Sequence, residues 1–245
     1  MNIDEAIERR ISCRSYADKQ IEPEKMDILQ QEMDKNNEET GLHFQLYGPR
    51  GNDQTAIDAV PSIFSGTVYH YIACVAPDDE IGREMAGYYG EKLVLLATQL
   101  GLASCWAMTN YNESTLRVDE QPGEALAAVI MLGNPMLRTP TRQWLIRANF
   151  RKSDNEPEKH IESDTNQIPD WFMDGVKCMQ IGPSGVNFQP VTFRYQKGVV
   201  SADMPNQRMA IQDPDLGIGK LHFELGSRKR GKWQWGKKGI FEIED

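Results

Sequence analysis

Ile3, Ile7 and Ile11 recur at helical spacing, with Asp4 and Glu5 at the front and Arg9-Arg10 at the back. That pattern predicts a first helix over residues 3–11, ending at Ser12. Pro23 after Glu22 opens a second helix, with Met26, Leu29 and Met33 on one face and Asn36-Asn37 near its end. Residues 41–47 then alternate apolar and polar, predicting a strand stopped by Gly48-Pro49, and residues 69–75 predict another, left through Pro77. The longest helical pattern covers residues 79–100, its stripe formed by Ile81, Met85, Tyr88, Tyr89, Leu93, Leu96 and Leu100. The unbroken apolar run 93–97 puts that helix deep in the molecule. Gly101 ends it, residues 102–106 start a short buried strand, and the apolar run 125–132 is a central strand ending in Gly133-Asn134-Pro135.

Periodicity stops between about 151 and 168, where the chain becomes strongly polar and reads as a linker or surface crossover. It restarts with Pro169 and a helix carrying Trp171, Phe172, Val176 and Met179 on one face. Residues 191–196 and 199–204, joined by Lys197-Gly198, predict a hairpin. Asp213 with Pro214 suits an N-cap and first helical position for a helix through Leu216, Leu221 and Leu225, stopped by Gly226. The stretch 233–241 reads as a closing hairpin or edge strand. Both halves run helix, Gly/Pro/Ser turn, strands, helix, strand, an order that suggests duplication. The expected division is an N-terminal lobe over 1–150, a polar linker over 151–168 and a C-terminal lobe over 169–245.

Composition narrows the classes of function. A chain of 245 residues can bury a substantial core. A net charge of -9 argues against a general nucleic-acid binder, because phosphate neutralisation needs clustered Lys and Arg. No run approaches eighteen apolar residues and the N-terminus has no apolar core of a secretory signal, so neither a membrane span nor export is expected. Cys13, Cys74, Cys105 and Cys178 form no Cys-x-x-Cys pair, and the four histidines are equally scattered, so no zinc spacing is present. Reduced thiols in a cytoplasmic protein are the simplest account.

Three stretches carry candidate chemistry. Arg10, Arg14 and Arg9 surround Ser12 at a predicted helix end. They suit a phosphate grip, or equally serve as C-terminal charges complementing a helix dipole. Arg138, Arg142 and Arg147 follow the central strand as a second phosphate grip or a solvated return loop. Residues 182–190 place two glycines, two prolines and the neutral hydrogen-bonding side chains Ser184, Asn187 and Gln189 in one turn. Such side chains can read the edge of a flat polar ligand, or can cap their own backbone. Neither Gly-x-Gly-x-x-Gly after a strand nor Gly-x-x-x-x-Gly-Lys-Ser/Thr occurs, so a Rossmann or P-loop site is unsupported.

Taken together these stretches resemble the nitroreductase family of FMN-dependent NAD(P)H oxidoreductases. Arg10-Ile11-Ser12-Cys13-Arg14-Ser15-Tyr16 is similar to the family's Arg-x-Ser-x-basic-x-aromatic signature. Gly101-Leu102-Ala103-Ser104-Cys105-Trp106 is similar to its Gly-Leu-Gly-Thr/Ser-Cys-Trp segment, with Ala103 in place of the usual glycine. Pro183-Ser184-Gly185-Val186-Asn187-Phe188-Gln189-Pro190 matches Pro-Ser-x-x-Asn-x-Gln-Pro at every fixed position, and Gly133-Asn134-Pro135 is similar to a Gly-Tyr-Pro turn. In most members the Pro-Ser segment follows the arginine signature closely and is lent to the partner subunit of a homodimer. Here it lies in the second half, as in a branch with two fused halves.

The resemblance implies an α+β, nitroreductase-like fold: a single-chain pseudo-dimer with antiparallel or mixed sheets packed on helices around a long buried helix, able to work as a monomer. It implies one FMN. Arg10 and Ser12 would hold the phosphate, with Arg138 and Arg142 as further candidates, and Arg14 would stand near the N1/O2 side of the ring. The backbone of Ala103 and Ser104 would face N5 and O4, and Pro183, Ser184, Asn187 and Gln189 would complete the site from the other lobe. It also implies a ping-pong cycle, in which NAD(P)H binds transiently, reduces the flavin and leaves, and a nitroaromatic, quinone or similar small acceptor takes the electrons. The flavin carries that chemistry, so no side chain need act as acid, base or nucleophile. The competing expectation is a flavin- or nucleotide-binding module of the same fold with little turnover.

Overall fold

Asn2 begins the first helix, α1 (Ile3–Arg9), through a reciprocal cap: its side chain accepts the Glu5 amide at 2.9 Å while the Glu5 carboxylate accepts the Asn2 amide at 3.3 Å. The helix stops at Arg9, so Arg10 through Ser12 lie beyond it as extended chain. Helix α2 (Pro23–Thr40) runs from its N1 proline to Gly41, whose φ of 74° supplies the left-handed cap. In this computed structural model residues 1–51, 55–60, 63–64, 67–136, 156–165, 167–209 and 212–244 are described. Two units partition the chain, one of Met1–Asp78 with Lys92–Asn149, the other of Asp79–Glu91 with Phe150–Asp245.

The first unit carries an antiparallel sheet of β1 (His43–Tyr47), β2 (His70–Pro77), β3 (Ala103–Ala107) and β4 (Glu124–Gly133) in the order β1-β2-β4-β3. β2 and β4 lie in the middle and are buried almost throughout, which is why both read as near-continuous apolar runs. Tyr71, Ala73, Val75, Val129 and Met131 from this sheet form a core with Cys13, Tyr16, Ile57, Phe64 and Cys105. Helix α3 (Glu80–Gln99) starts on Asp79, whose carboxylate accepts the Gly82 amide at 2.6 Å. Leu93, Val94, Leu95 and Ala97 are buried as expected, but Ile81 is 45 % exposed. It sits in the first turn, where a helix end leaves room for solvent.

The second unit holds β5 (Ile161–Ser163), β6 (Thr192–Gln196), β7 (Val199–Asp203), β8 (Gly231–Trp233) and β9 (Gly239–Ile243) in the order β5-β6-β7-β9-β8; β5 pairs parallel with β6 and every other pair is antiparallel. Strand β5 falls in the polar stretch where no element was expected. It is a three-residue edge with Glu162 and Ser163 exposed, so it needs no apolar alternation, and Glu162 pairs across to Arg194.

Two helices pack against one another in this unit, α4 (Asp170–Ile181) and α5 (Asp213–Ser227). Their contact is close because Gly226 lies on Cys178: a Cβ there would stand 2.2 Å from the Cys178 Cβ. Asp213 occupies the first turn of α5, with Gln212 as N-cap, and Gly226 lies inside the helix, which continues to Ser227. The core is aromatic, with Phe193 stacked on Phe223 at 4.4 Å between centroids and Trp233 on Phe241 at 4.8 Å.

Into this core run two buried polar chains linking α3, at Glu84 and Glu91, to α5. Lys220 donates to Glu84 at 2.5 Å and to the carbonyls of Gln234 and Gly236 at 2.9 and 3.1 Å, so all three of its protons are used. The other Glu84 oxygen accepts the Gly236 amide at 2.6 Å. His222 meets Glu91 through Nε2 at 3.0 Å and lies with Nδ1 3.8 Å from the Cys178 sulfur. The backbones cross tightly as well: a Cβ on Gly217 would stand 1.9 Å from the Glu84 carbonyl oxygen.

Candidate functional site

Extended chain alternates its side chains, and residues 10–15 use that alternation. Cys13 and Ser15 are buried; Arg10, Ser12 and Arg14 are half-buried. A parallel bridge joins Ser12 to Ser104 of β3, with the Cys13 amide donating to the Ser104 carbonyl at 2.8 Å. Tyr16 is fully buried, donates its hydroxyl to the Cys13 carbonyl at 2.8 Å, and lies so close to Gly133 that a Cβ there would stand 2.7 Å from its ring. The stretch from Arg10 to Tyr16 is therefore fixed on the β3–β4 edge of the first sheet. Arg10, Ser12, Arg14, Ala103 and Ser104, drawn from positions about ninety residues apart, come together there.

The electrostatics agree. Burial pushes the Cys105 thiol up, opposed by the charges of Arg14 and, more weakly, Arg10, while Cys13 adds to the rise. Burial likewise raises the Tyr16 hydroxyl, with Arg14 pulling the other way. Both guanidinium groups thus act on one small region. The turn after β4 ties down the chain that follows Tyr16. Asn134 donates its side-chain amide to the Gln20 carbonyl at 3.0 Å, and its own carbonyl accepts the Ala17 amide at 2.9 Å. Arg138 and Arg142 lie outside the described residues.

In the second unit residues 182–190 form a tight turn around a single 3-10 turn, Gly185–Asn187. Of the two roles expected of its side chains, capping of their own backbone is present for Ser184 and Gln189. Ser184 Oγ accepts the Gln189 amide at 3.0 Å and Gln189 Nε2 donates to the Gly182 carbonyl at 3.0 Å, so these two cap their own loop. Ser184 keeps its hydroxyl proton and Gln189 its amide oxygen for other partners. Asp215, at the start of α5, accepts the Gly185 amide with both carboxylate oxygens at 3.0 Å. Sequence reasoning missed Asp215, since an acidic residue in a first turn reads as ordinary dipole compensation.

Asn187, Phe188, Gln189 and Pro190 line a pocket of about 360 Å³ together with Lys159, His160, Thr192 and Asn206. His160 and Thr192 are buried. His160 Nδ1 donates to the Val191 carbonyl at 3.0 Å. Phe188 stands 44 % exposed at the lip with the Arg208 guanidinium 4.9 Å from its ring centre. Among the described residues no group of three or more His, Cys, Asp or Glu side chains could hold a metal, and no helix is long and apolar enough to cross a membrane.

A family profile described as "Putative TM nitroreductase" matches residues 2–227. The chain belongs to this family. Its fold is that of a solved protein from Thermotoga maritima described as a "putative nitroreductase", which is 21 % identical, with a TM-score of 0.61 over 99 % of this chain and 93 % of that one. A nitroreductase family protein from Clostridium difficile 630 is 19 % identical, covering 59 % of this chain and 91 % of its own at a TM-score of 0.40. One from Desulfovibrio desulfuricans, solved in complex with FMN, is 17 % identical, covering 59 % and 95 % at a TM-score of 0.40. No curated protein matches. Family membership makes the nitroreductase-like α+β reading of the chain correct and gives it the character of an oxidoreductase.

Proposed function

We propose that the chain is an FMN-dependent oxidoreductase that uses NAD(P)H to reduce nitroaromatic, quinone or similar acceptors in a ping-pong cycle. The observation that carries this reading is the seating of Arg10, Ser12 and Arg14 on the β3 edge beside Ala103 and Ser104. The donor set suits the cofactor. The Ser12 and Ser104 hydroxyls take no hydrogen bond among the described residues, and two guanidinium groups act on the same place. A dianionic phosphate with a polyhydroxylated chain calls for such donors. When bound, FMN supplies acceptance and delivery of hydride.

In this reading Arg10 and Ser12 hold the phosphate, helped by Arg138 and Arg142, and Arg14 supplies the cation at the pyrimidine edge of the ring. Backbone at Ala103 and Ser104 orients that ring. Pro183, Ser184, Asn187 and Gln189, which match the family's Pro-Ser-x-x-Asn-x-Gln-Pro segment, are the further candidates for flavin contact, in a chain read as two fused halves with lobes over 1–150 and 169–245. The test is direct. Purified protein should show a flavin spectrum, bleach with NADPH or NADH in the absence of air, and recover colour with a quinone or nitroaromatic. Flavin that binds but stays oxidised with both donors would favour a binding module. Arg10→Ala and Asn187→Ala should each weaken FMN binding about tenfold or more, the scale of one charge-assisted or well-buried polar contact; unchanged affinity in both would dismiss these residues from the site.

A further inference from the structure

We propose that Asp215 is a positioning residue for the 183–190 turn: its carboxylate, gripping the Gly185 amide, fixes the backbone that presents Asn187 and so sets the affinity for FMN. The inference rests on the flavin reading above and assigns it a residue outside the family's recognisable segments.

Three observations support it. The turn is strained: Val186 and Gln189 have φ of 53° and 50°, in the left-handed region that most side chains disfavour, with Asn187, a residue that tolerates it, between them in chain order at 58°. Such a turn persists only where its surroundings over-determine it. Among its determinants are Ser184 Oγ on the Gln189 amide, Gln189 Nε2 on the Gly182 carbonyl, and the Asp215 carboxylate on the Gly185 amide. The last is a side-chain grip from the first turn of α5.

Asp215 itself is 5 % exposed, and among the described residues no cation pairs with it. The nearest carboxylate, Asp213, is held by Arg83 of α3 at 2.7 Å and by Gln207. Of the other charges where α3 meets α5, Glu84 and Lys220 are paired to each other at 2.5 Å, Glu91 meets His222 at 3.0 Å and Glu224 accepts the Tyr88 hydroxyl at 2.7 Å. The one polar group turned to Asp215 among the described residues is therefore the amide of the flavin turn. Burial, with a smaller push from Asp213, raises its carboxyl from the ordinary 3.8 to about 7, against the pull of the Gly185 hydrogen bond. The grip is charge-assisted above neutrality and a weaker neutral contact below it.

The experiment titrates FMN into the full chain and into Asp215→Asn, from pH 5.5 to 8.5, reading flavin fluorescence. Asparagine keeps the shape and one acceptor but never carries the charge. The ratio of the variant's Kd to the wild-type Kd should be about five- to tenfold at pH 8.5, the difference between a charged and a neutral hydrogen bond, and fall to about one at pH 5.5. Titration of the FMN phosphate affects both proteins alike and cancels. A ratio that stays constant with pH would reduce Asp215 to an ordinary structural contact and overturn the proposal.

Hydrogen exchange of the peptide spanning 182–190, corrected for intrinsic pH dependence, provides a readout without ligand. Wild-type protection should drop between pH 8 and pH 6 and the variant should be poorly protected throughout. If neither protein binds FMN yet exchange follows this course, the flavin reading fails and the positioning of the turn stands. If exchange in the wild type ignores pH, the positioning role fails whatever the cofactor.

Discussion

An ionised Asp215 works against the fold, and the size of that effect follows from its surroundings. Folded, its carboxyl protonates near pH 7; unfolded, near the ordinary 3.8. Between those values the folded state binds the extra proton, so stability falls as pH rises through the window, the opposite of a salt-bridged carboxylate. From pH 5 to pH 8 the interval over which the folded state alone is protonated is about two pH units, and at 1.36 kcal/mol per unit the loss is about 2.5 kcal/mol. Asp215→Asn never ionises and should escape it. At pH 8 the variant should be more stable than the wild type by about 2.5 kcal/mol beyond any difference seen at pH 5, equivalent to about 5–10 °C in Tm for a chain of this length. Urea denaturation of both proteins at pH 5 and pH 8 measures this difference of differences. Parallel pH dependence in the two proteins would show that Asp215 is not ionising in a dry site, and the reasoning would fail.

Other expectations follow from the same unit. Lys220→Met leaves Glu84 buried without its cation and should cost about 3–5 kcal/mol, whereas Glu84→Leu combined with Lys220→Met should recover most of it; denaturant midpoints of the two single variants and the double decide. Gly217→Ala would put a methyl 1.9 Å from the Glu84 carbonyl oxygen, so it should destabilise the protein by more than about 2 kcal/mol although alanine is the better helix former. A neutral or stabilising Gly217→Ala in thermal melts would mean the α3–α5 crossing is looser than described.

Much of the fold could be read from the chain because its punctuation is strong. Pro23 starts α2 and Gly101 follows the end of α3 by mechanisms local to those residues, whereas Gly41, expected to begin a strand, is the left-handed cap of a helix that runs on to Thr40; β2 and β4, buried on both faces, carry runs that leave no other reading. Where local signals are absent the reading failed. Strand β5 draws its stability from the edge of β6 and has no apolar face to display. Ile81 continues the α3 stripe in sequence but falls in the exposed first turn. The site was legible as separate pieces, and each piece was recognisable; the meeting of Ser12 with Ser104 is a tertiary fact, set by a parallel bridge that no spacing encodes. Asp215 was illegible for a different reason. Its role depends on a dry surrounding and on one distant amide, and an aspartate in a helix's first turn looks the same without them.

The turn at 182–190 bears two burdens that a mere connection would not need. Three side-chain-bearing residues sit in the left-handed region; asparagine tolerates it, but the β-branched Val186 and Gln189 do so at about 1–2 kcal/mol each where glycine would be free of strain. The carboxylate that steadies the turn is itself destabilising once ionised. The strain at Val186 does not serve packing, because its side chain is 52 % exposed. What the conformation does achieve is display: it holds Asn187 and Gln189 at the wall of a pocket whose buried His160 and Thr192 offer further polar atoms. Strain alone would mark an accident of folding and a buried carboxylate alone a tolerated charge. Both on one nine-residue turn, supplied by different elements, argue for a turn held in place for what it presents.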